Sequence, residues 1–124
     1  MVRKLAQTEG KRLGLPGRSS LEMVSGEIGS KVTFRVVEIP VPQPGEALRG
    51  PHVHHGYEEC IYVLKGEGRT FSQSGEVAVK AGDVVLVPPE EKHVTRNTGH
   101  EPLVLLCFFP ASDVSGTTEN FSGF

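Results

Sequence analysis

The chain has 124 residues, with 13 Lys and Arg against 15 Asp and Glu, a formal net charge of −2, and 37% hydrophobic residues. That length gives one compact domain with a real core, and the balanced charge lacks the basic excess or stripe of a nucleic-acid binder. No apolar run approaches the ~20 residues of a membrane helix, and the basic start MVRKLAQTEGKRLGLPGRSS has no apolar stretch behind it, so neither a membrane span nor a secretory signal is expected.

In chain order, residues 1–20 are poor in core-forming side chains and read as an N-terminal arm. Arg3, Lys4, Lys11, Arg12 and Arg18 stand there against one acid, Glu9, which suggests a solvated basic face. Residues 21–110 read as the domain. Within it, KVTFRVVEIPV (31–41), CIYVLKG (60–66), EVAVKAG (76–82), DVVLVPP (83–89) and PLVLLCFFP (102–110) are of strand length and rich in β-branched and aromatic residues. Turn signals separate them: PQPGE at 42–46, SQSGE at 72–76 and NTGHEP at 97–102. No window of helical length carries a sustained apolar period near 3.6. The fold class is therefore all-β, a closed antiparallel barrel or sandwich. The last 14 residues, 111–124, read as a C-terminal tail. A cytoplasmic protein is expected, with Cys60 and Cys107 as free thiols, since two cysteines without an export signal are seldom bridged.

The chemistry concentrates in PHVHHGYEE, residues 51–59, which holds three of the five histidines. On a strand His52 and His54 face the same way, at a spacing that suits two imidazoles gripping one ion. Glu59 falls out of step with them on one continuous strand, but Gly56 supplies a turn after which Glu59 can return to the same interior point. His93, in PPEEKHVTRN, follows an apolar strand and a Pro-Pro turn and is the fourth candidate. Three imidazoles and a carboxylate suit one divalent transition metal per chain, Fe, Mn, Ni, Co, Cu or Zn. Glu58 is the rival carboxylate. His55 alternates outward, His100 lies in a turn, Asn97 supports its strand, Cys60 points away from the ion, and Cys107 is expected in the core.

The two stretches HVHHGYEECIYVLKG and GDVVLVPPEEKHVTRN resemble the two motifs of the cupin family. The first family motif is G(X)5HXH(X)3–4E(X)6G, matched by His52, His54, Glu59 and Gly66. The second is G(X)5PXG(X)2H(X)3N, matched by Gly82, Pro88, His93 and Asn97. The spacing to Gly66 favours Glu59 over Glu58. The resemblance covers 31–110 and implies a six- to eight-stranded jelly-roll barrel (a double-stranded β-helix) with a metal on His52, His54, Glu59 and His93. Two motif glycines are replaced, by Glu46 and Glu90, both at turns.

Metal-binding cupins include oxygenases, decarboxylases, isomerases and non-catalytic binders, so the fold does not select a reaction. The expected function is a small metalloenzyme acting on a small carboxylate, carbonyl or phenolic substrate. An oxygenase-type reaction is the first choice and a decarboxylase or isomerase the close rival. The alternative is a non-catalytic small-molecule binding or sensing module. Ile61, Leu105 and Phe109 are expected to line the pocket, and Arg35, Arg49, Arg69 and Tyr62 are available to meet an anionic group. Exposed sheet edges, covered by strand 31–41 and the two arms, suggest a homodimer.

Overall fold

The computed structural model describes residues 1–124 and folds them into two antiparallel sheets packed face to face. The strands are β1 (Lys11–Leu13), β2 (Ser19–Val24), β3 (Thr33–Ile39), β4 (His52–His54), β5 (Glu59–Lys65), β6 (Glu67–Ser72), β7 (Gly75–Lys80), β8 (Val84–Val87), β9 (His93–Asn97), β10 (Leu103–Phe109) and β11 (Thr118–Asn120). One sheet runs β1-β2-β3-β10-β5-β8 and the other β11-β4-β9-β6-β7. The only helical pieces are three single 3-10 turns, and no helix is long and apolar enough to cross a membrane. This is the all-β jelly-roll expected from the sequence, built of eleven strands in place of the six to eight implied.

Period-two alternation builds the core. On β10, Leu103, Leu105, Cys107 and Phe109 are buried; on β5, Ile61 and Val63 are buried while Tyr62 and Leu64 are exposed. Cys107 sits opposite Arg35 of β3 on one side and Ile61 of β5 on the other, so three neighbouring strands present one inner face. Val37 and Ile39 of β3, Val79 of β7, Val87 of β8 and Val114 complete the same cluster.

Four strands carry no apolar signature in the sequence: β1, β2, β6 and β11. Their sequences, KRL, SSLEMV, EGRTFS and TEN, are largely polar. The reading of 1–20 and 111–124 as arms outside the barrel is corrected accordingly. Residues 11–13 and 19–24 extend one sheet beside β3, and residues 118–120 close the edge of the other beside β4. An edge strand is held by backbone pairing on one side and needs few inward apolar side chains, so composition alone does not reveal it.

Both departures from the motif glycines resolve at turns. Gly45, one place before Glu46, takes the left-handed conformation at φ 80°. Glu90 itself adopts φ 66°, which costs a non-glycine residue roughly 1–2 kcal/mol. Local bonds offset that strain: the Glu90 N–H donates to the His54 carbonyl, and its carboxylate accepts from the Gly56 N–H at 2.7 Å.

Candidate metal centre

β4 places His52 and His54 on the inner side of one sheet, and His52 pairs in register with His93 at the start of β9. After the turn at Gly56 (φ 90°), Glu59 opens β5 on the facing sheet. One ligand atom from each of His52, His54, Glu59 and His93 lies within 4.8 Å of all the others, so the four side chains could hold a metal ion. His54, Glu59 and His93 are 5%, 4% and 2% exposed, whereas the rival Glu58 is exposed on the surface.

Hydrogen bonds fix which nitrogens face the centre. The Thr118 hydroxyl gives its single proton to the Val114 carbonyl at 2.7 Å, so it accepts from His54 Nδ1–H at 3.0 Å. His93 Nδ1 lies 2.9 Å from the Glu91 carbonyl, which only accepts, so His93 Nδ1 also carries a proton. In the neutral imidazoles both Nε2 atoms then present lone pairs inward. They meet Glu59 Oε1 at 3.2 Å from His54 and 3.0 Å from His93. His54 Nε2 is buried without a hydrogen-bond partner. Three converging acceptors repel one another unless a cation or a proton sits between them. The donor set and the orphaned His54 Nε2 therefore fit a divalent transition metal.

The electrostatics agree with that arrangement. Burial pushes His52 down to about 2, with the neighbouring His93 charge acting the same way, so His52 stays neutral and available as a ligand. Burial alone would raise the Glu59 carboxyl; where a proton on His54 or His93 Nε2 takes the place of a cation, the hydrogen bonds it makes outweigh burial and hold Glu59 below the ordinary carboxylate value.

The centre opens into a cavity of about 130 Å³ lined by both sheets. Ile61, Leu105 and Phe109 line it as expected, beside Val37 and Ile39. Of the groups named for an anion, Arg49 lines the cavity with only the Thr95 carbonyl as partner. Arg35 lines it too, but is neutralised by Glu22 at 2.9 Å. Arg69 pairs with Glu76 on the surface, and Tyr62 is 40% exposed on the outer face. The structure adds Arg18, Ser20 and Thr118, which the sequence reading missed. Arg18, expected on a solvated arm, faces inward because it precedes β2 in phase with buried Ser20. That two-residue phase was the available signal, and the polar surroundings hid it.

The remaining residues sit as expected. His55 is exposed, and hydrogen bonds to Glu90 and Glu119 raise its pKa. Buried Asn97 ties β9 to the Ile39 and Glu101 carbonyls. Cys60 and Cys107 are free; Cys107 is buried in the core, and burial pushes its thiol up.

A family model described as a cupin domain matches residues 41–109. The chain belongs to the cupin domain family. This cupin is 33% identical over 86 residues to an uncharacterized protein of Methanocaldococcus jannaschii, covering 69% of this chain and 67% of that one. It is 40% identical over 63 residues to an oxalate-binding protein of Thermotoga maritima, covering 51% of each chain. Among solved structures, a mutant of Bacillus subtilis oxalate decarboxylase superposes with a TM-score of 0.76 at 21% identity, over 93% of this cupin and 31% of that chain. The cupin thus spans about half the length of the oxalate-binding protein and about a third of the decarboxylase, and the latter likeness shows the shared fold.

Proposed function

We propose that this cupin is a metal-dependent enzyme of small-molecule chemistry, with one divalent transition metal held by His52, His54, Glu59 and His93. Its substrate class is a small carboxylate, carbonyl or phenolic acid. The observation that carries the reading is the convergence of two imidazole lone pairs and one ionised carboxylate at the base of a buried, part-apolar cavity. When bound there, the ion supplies Lewis acidity toward a substrate oxygen. The chain's own residues do the rest. Thr118 and the Glu91 carbonyl orient two ligands, and the Val37–Ile39–Phe109 wall excludes water and strengthens every charge interaction inside. Cys107 is held as a protonated thiol by burial and offers no nucleophile.

A decarboxylase- or isomerase-type reaction takes precedence here over the oxygenase-type reaction. The support is a sequence likeness to glucose-6-phosphate isomerases, 40% identical over 65 residues for that of Thermococcus gammatolerans, which covers 48% of this chain and 34% of that one. The binding-module reading has its own support in the relative named for oxalate binding. The test is to load metal-free protein separately with Fe(II), Mn(II), Ni(II) and Zn(II), and to screen small carboxylates, diketones and phenolic acids with and without oxygen. Turnover independent of oxygen is expected. Turnover only with a redox metal and oxygen restores the oxygenase. Inert metal forms that a small acid still stabilises against heat select the binder.

The same proposal includes a cytoplasmic homodimer with one centre per subunit. Tyr62, Leu64, Val84, Leu86 and Phe108 are 39–63% exposed. They stand on the outer face of the six-stranded sheet, where Tyr62 pairs with Val84 and Cys60 with Leu86. That apolar face is the expected contact, in place of the edges and arms alone. Light scattering at micromolar concentration should give twice the chain mass, and Leu86→Glu should shift it toward the monomer. A monomeric wild-type protein would contradict the dimer.

A further inference from the structure

The cavity holds more positive charge than its metal site accounts for. Glu59 is the one carboxylate among the lining residues. Arg35 is matched by Glu22, leaving Arg18 and Arg49 with no acidic partner. Each has one hydrogen bond, to a backbone carbonyl: Arg18 to Pro16 at 2.8 Å and Arg49 to Thr95 at 3.0 Å. A divalent ion and Glu59 together leave one positive charge, and the two guanidiniums add two more. Burying unpaired charges of one sign is costly, and an anion that enters from solution relieves the cost.

A third group faces the same space. Ser20 is fully buried, lines the cavity, and its Oγ has no hydrogen-bond partner. It stands two residues after Arg18, which immediately precedes β2, and both line the cavity. Arg49 reaches the cavity from the loop before β4. Burial pulls the Arg18 guanidinium down to about 10, with the Arg49 and Arg35 charges acting the same way, as expected where a counter-charge is missing.

Resting on the metal reading above, we infer that the substrate is a small acid with two anionic groups, one directed to the metal centre and the other held by Arg18, Arg49 and Ser20. The guanidiniums supply charge-assisted hydrogen bonds and Ser20 a neutral donor. A cavity of about 130 Å³ admits a short-chain dicarboxylate or a phosphorylated two-carbon acid, the two sources of that second anion.

The test is calorimetric titration of the full-length, Mn(II)-loaded protein with malonate and phosphoglycolate as dianions, and with glycolate and acetate as monoanions. Dianions are expected to bind at least ~10-fold more tightly than monoanions, and the tighter of the two dianions identifies the second group as carboxylate or phosphate. Arg18→Gln and Arg49→Gln are each expected to lose about tenfold in dianion affinity, with glycolate affinity within about twofold and Mn(II) content unchanged. Arg18→Lys should recover part of the loss. Equal wild-type affinity for monoanions and dianions overturns the inference, whatever the variants do, and so do variants that bind dianions like wild type. The two readings separate cleanly. Stoichiometric Mn(II) with no preference for dianions removes the clamp and keeps the metal centre. Arginine-dependent dianion binding by a chain that takes up no metal keeps the clamp and removes the centre.

Discussion

The metal-ligand cluster and the arginine wall line one cavity but are built in opposite ways. The cluster comes from the middle of the chain, on β4, β5 and β9, and its ligands are fixed from outside by Thr118 and the Glu91 carbonyl. The wall comes from the approach to β2 and from the loop before β4, and each guanidinium is held by one backbone carbonyl. The difference teaches a division of labour. A metal requires lone pairs placed in advance, so its ligands are locked by packing and partners. The proposed acid would be met by long, lightly tethered side chains able to adjust to it.

Substitutions at the two regions should therefore behave differently, and the largest effect belongs to the cluster. His93→Ala removes a ligand and should reduce metal content from one ion per chain to less than about a tenth by elemental analysis. His55→Ala, at an exposed residue just after β4, should leave the content unchanged. Normal metal in the His93→Ala protein would break the assignment. Next, Thr118→Val deletes the acceptor that fixes His54 and should weaken metal binding about 10–100-fold in a competition titration, while Thr118→Ser should restore it. An unchanged affinity would show that the His54 ring needs no lock.

The third effect is on the stability of the metal-free protein in acid. Unfolded His52 takes up a proton below about 6.5, whereas the folded imidazole, pushed down to about 2, does not. The unfolded state then binds more protons, so stability is full above about 6.5 and falls as the pH drops, by up to ~1.4 kcal/mol per pH unit for this group. Glu59, also held below its ordinary value, adds loss in the same direction once the pH falls through the usual carboxylate range. Denaturant unfolding at pH 7.5, 6 and 5 measures this, and His52→Gln should flatten the slope. A metal-free protein that gains stability in acid contradicts the neutral, buried cluster. The smallest effect lies in the wall. Ser20→Ala removes a buried hydroxyl without a partner and should stabilise the metal-free protein by about 1 kcal/mol, or a few degrees in Tm. Destabilisation would mean that the hydroxyl has a partner in solution.

The same contrast explains what the sequence made legible. The barrel class follows from apolar runs at strand spacing, and the four candidate ligands follow from His52-x-His54, Glu59 and His93 falling at motif spacing. Those signals are local and tied to the two-residue period. Arg18 reads as solvated because its neighbours are basic and polar, and only pairing of β2 with β3 turns it inward. Thr118 carries no signal of its own: a threonine in a polar tail becomes an orienting group because β11 pairs with β4 in a register that sets Thr118 opposite His54. Side chains whose role depends on long-range pairing are invisible to composition and period.

That pairing also orders events during synthesis. His54 and Thr118 are 64 residues apart, and the hydroxyl that selects the His54 tautomer is the last piece of the centre to leave the ribosome. Until then either imidazole nitrogen can carry the proton, and closing so long a loop is a late, slow step. On the proposed metal reading, stable binding therefore waits for β11 to pair with β4. A chain truncated after residue 112 should hold metal far more loosely than the 124-residue chain, although it contains all four proposed ligands.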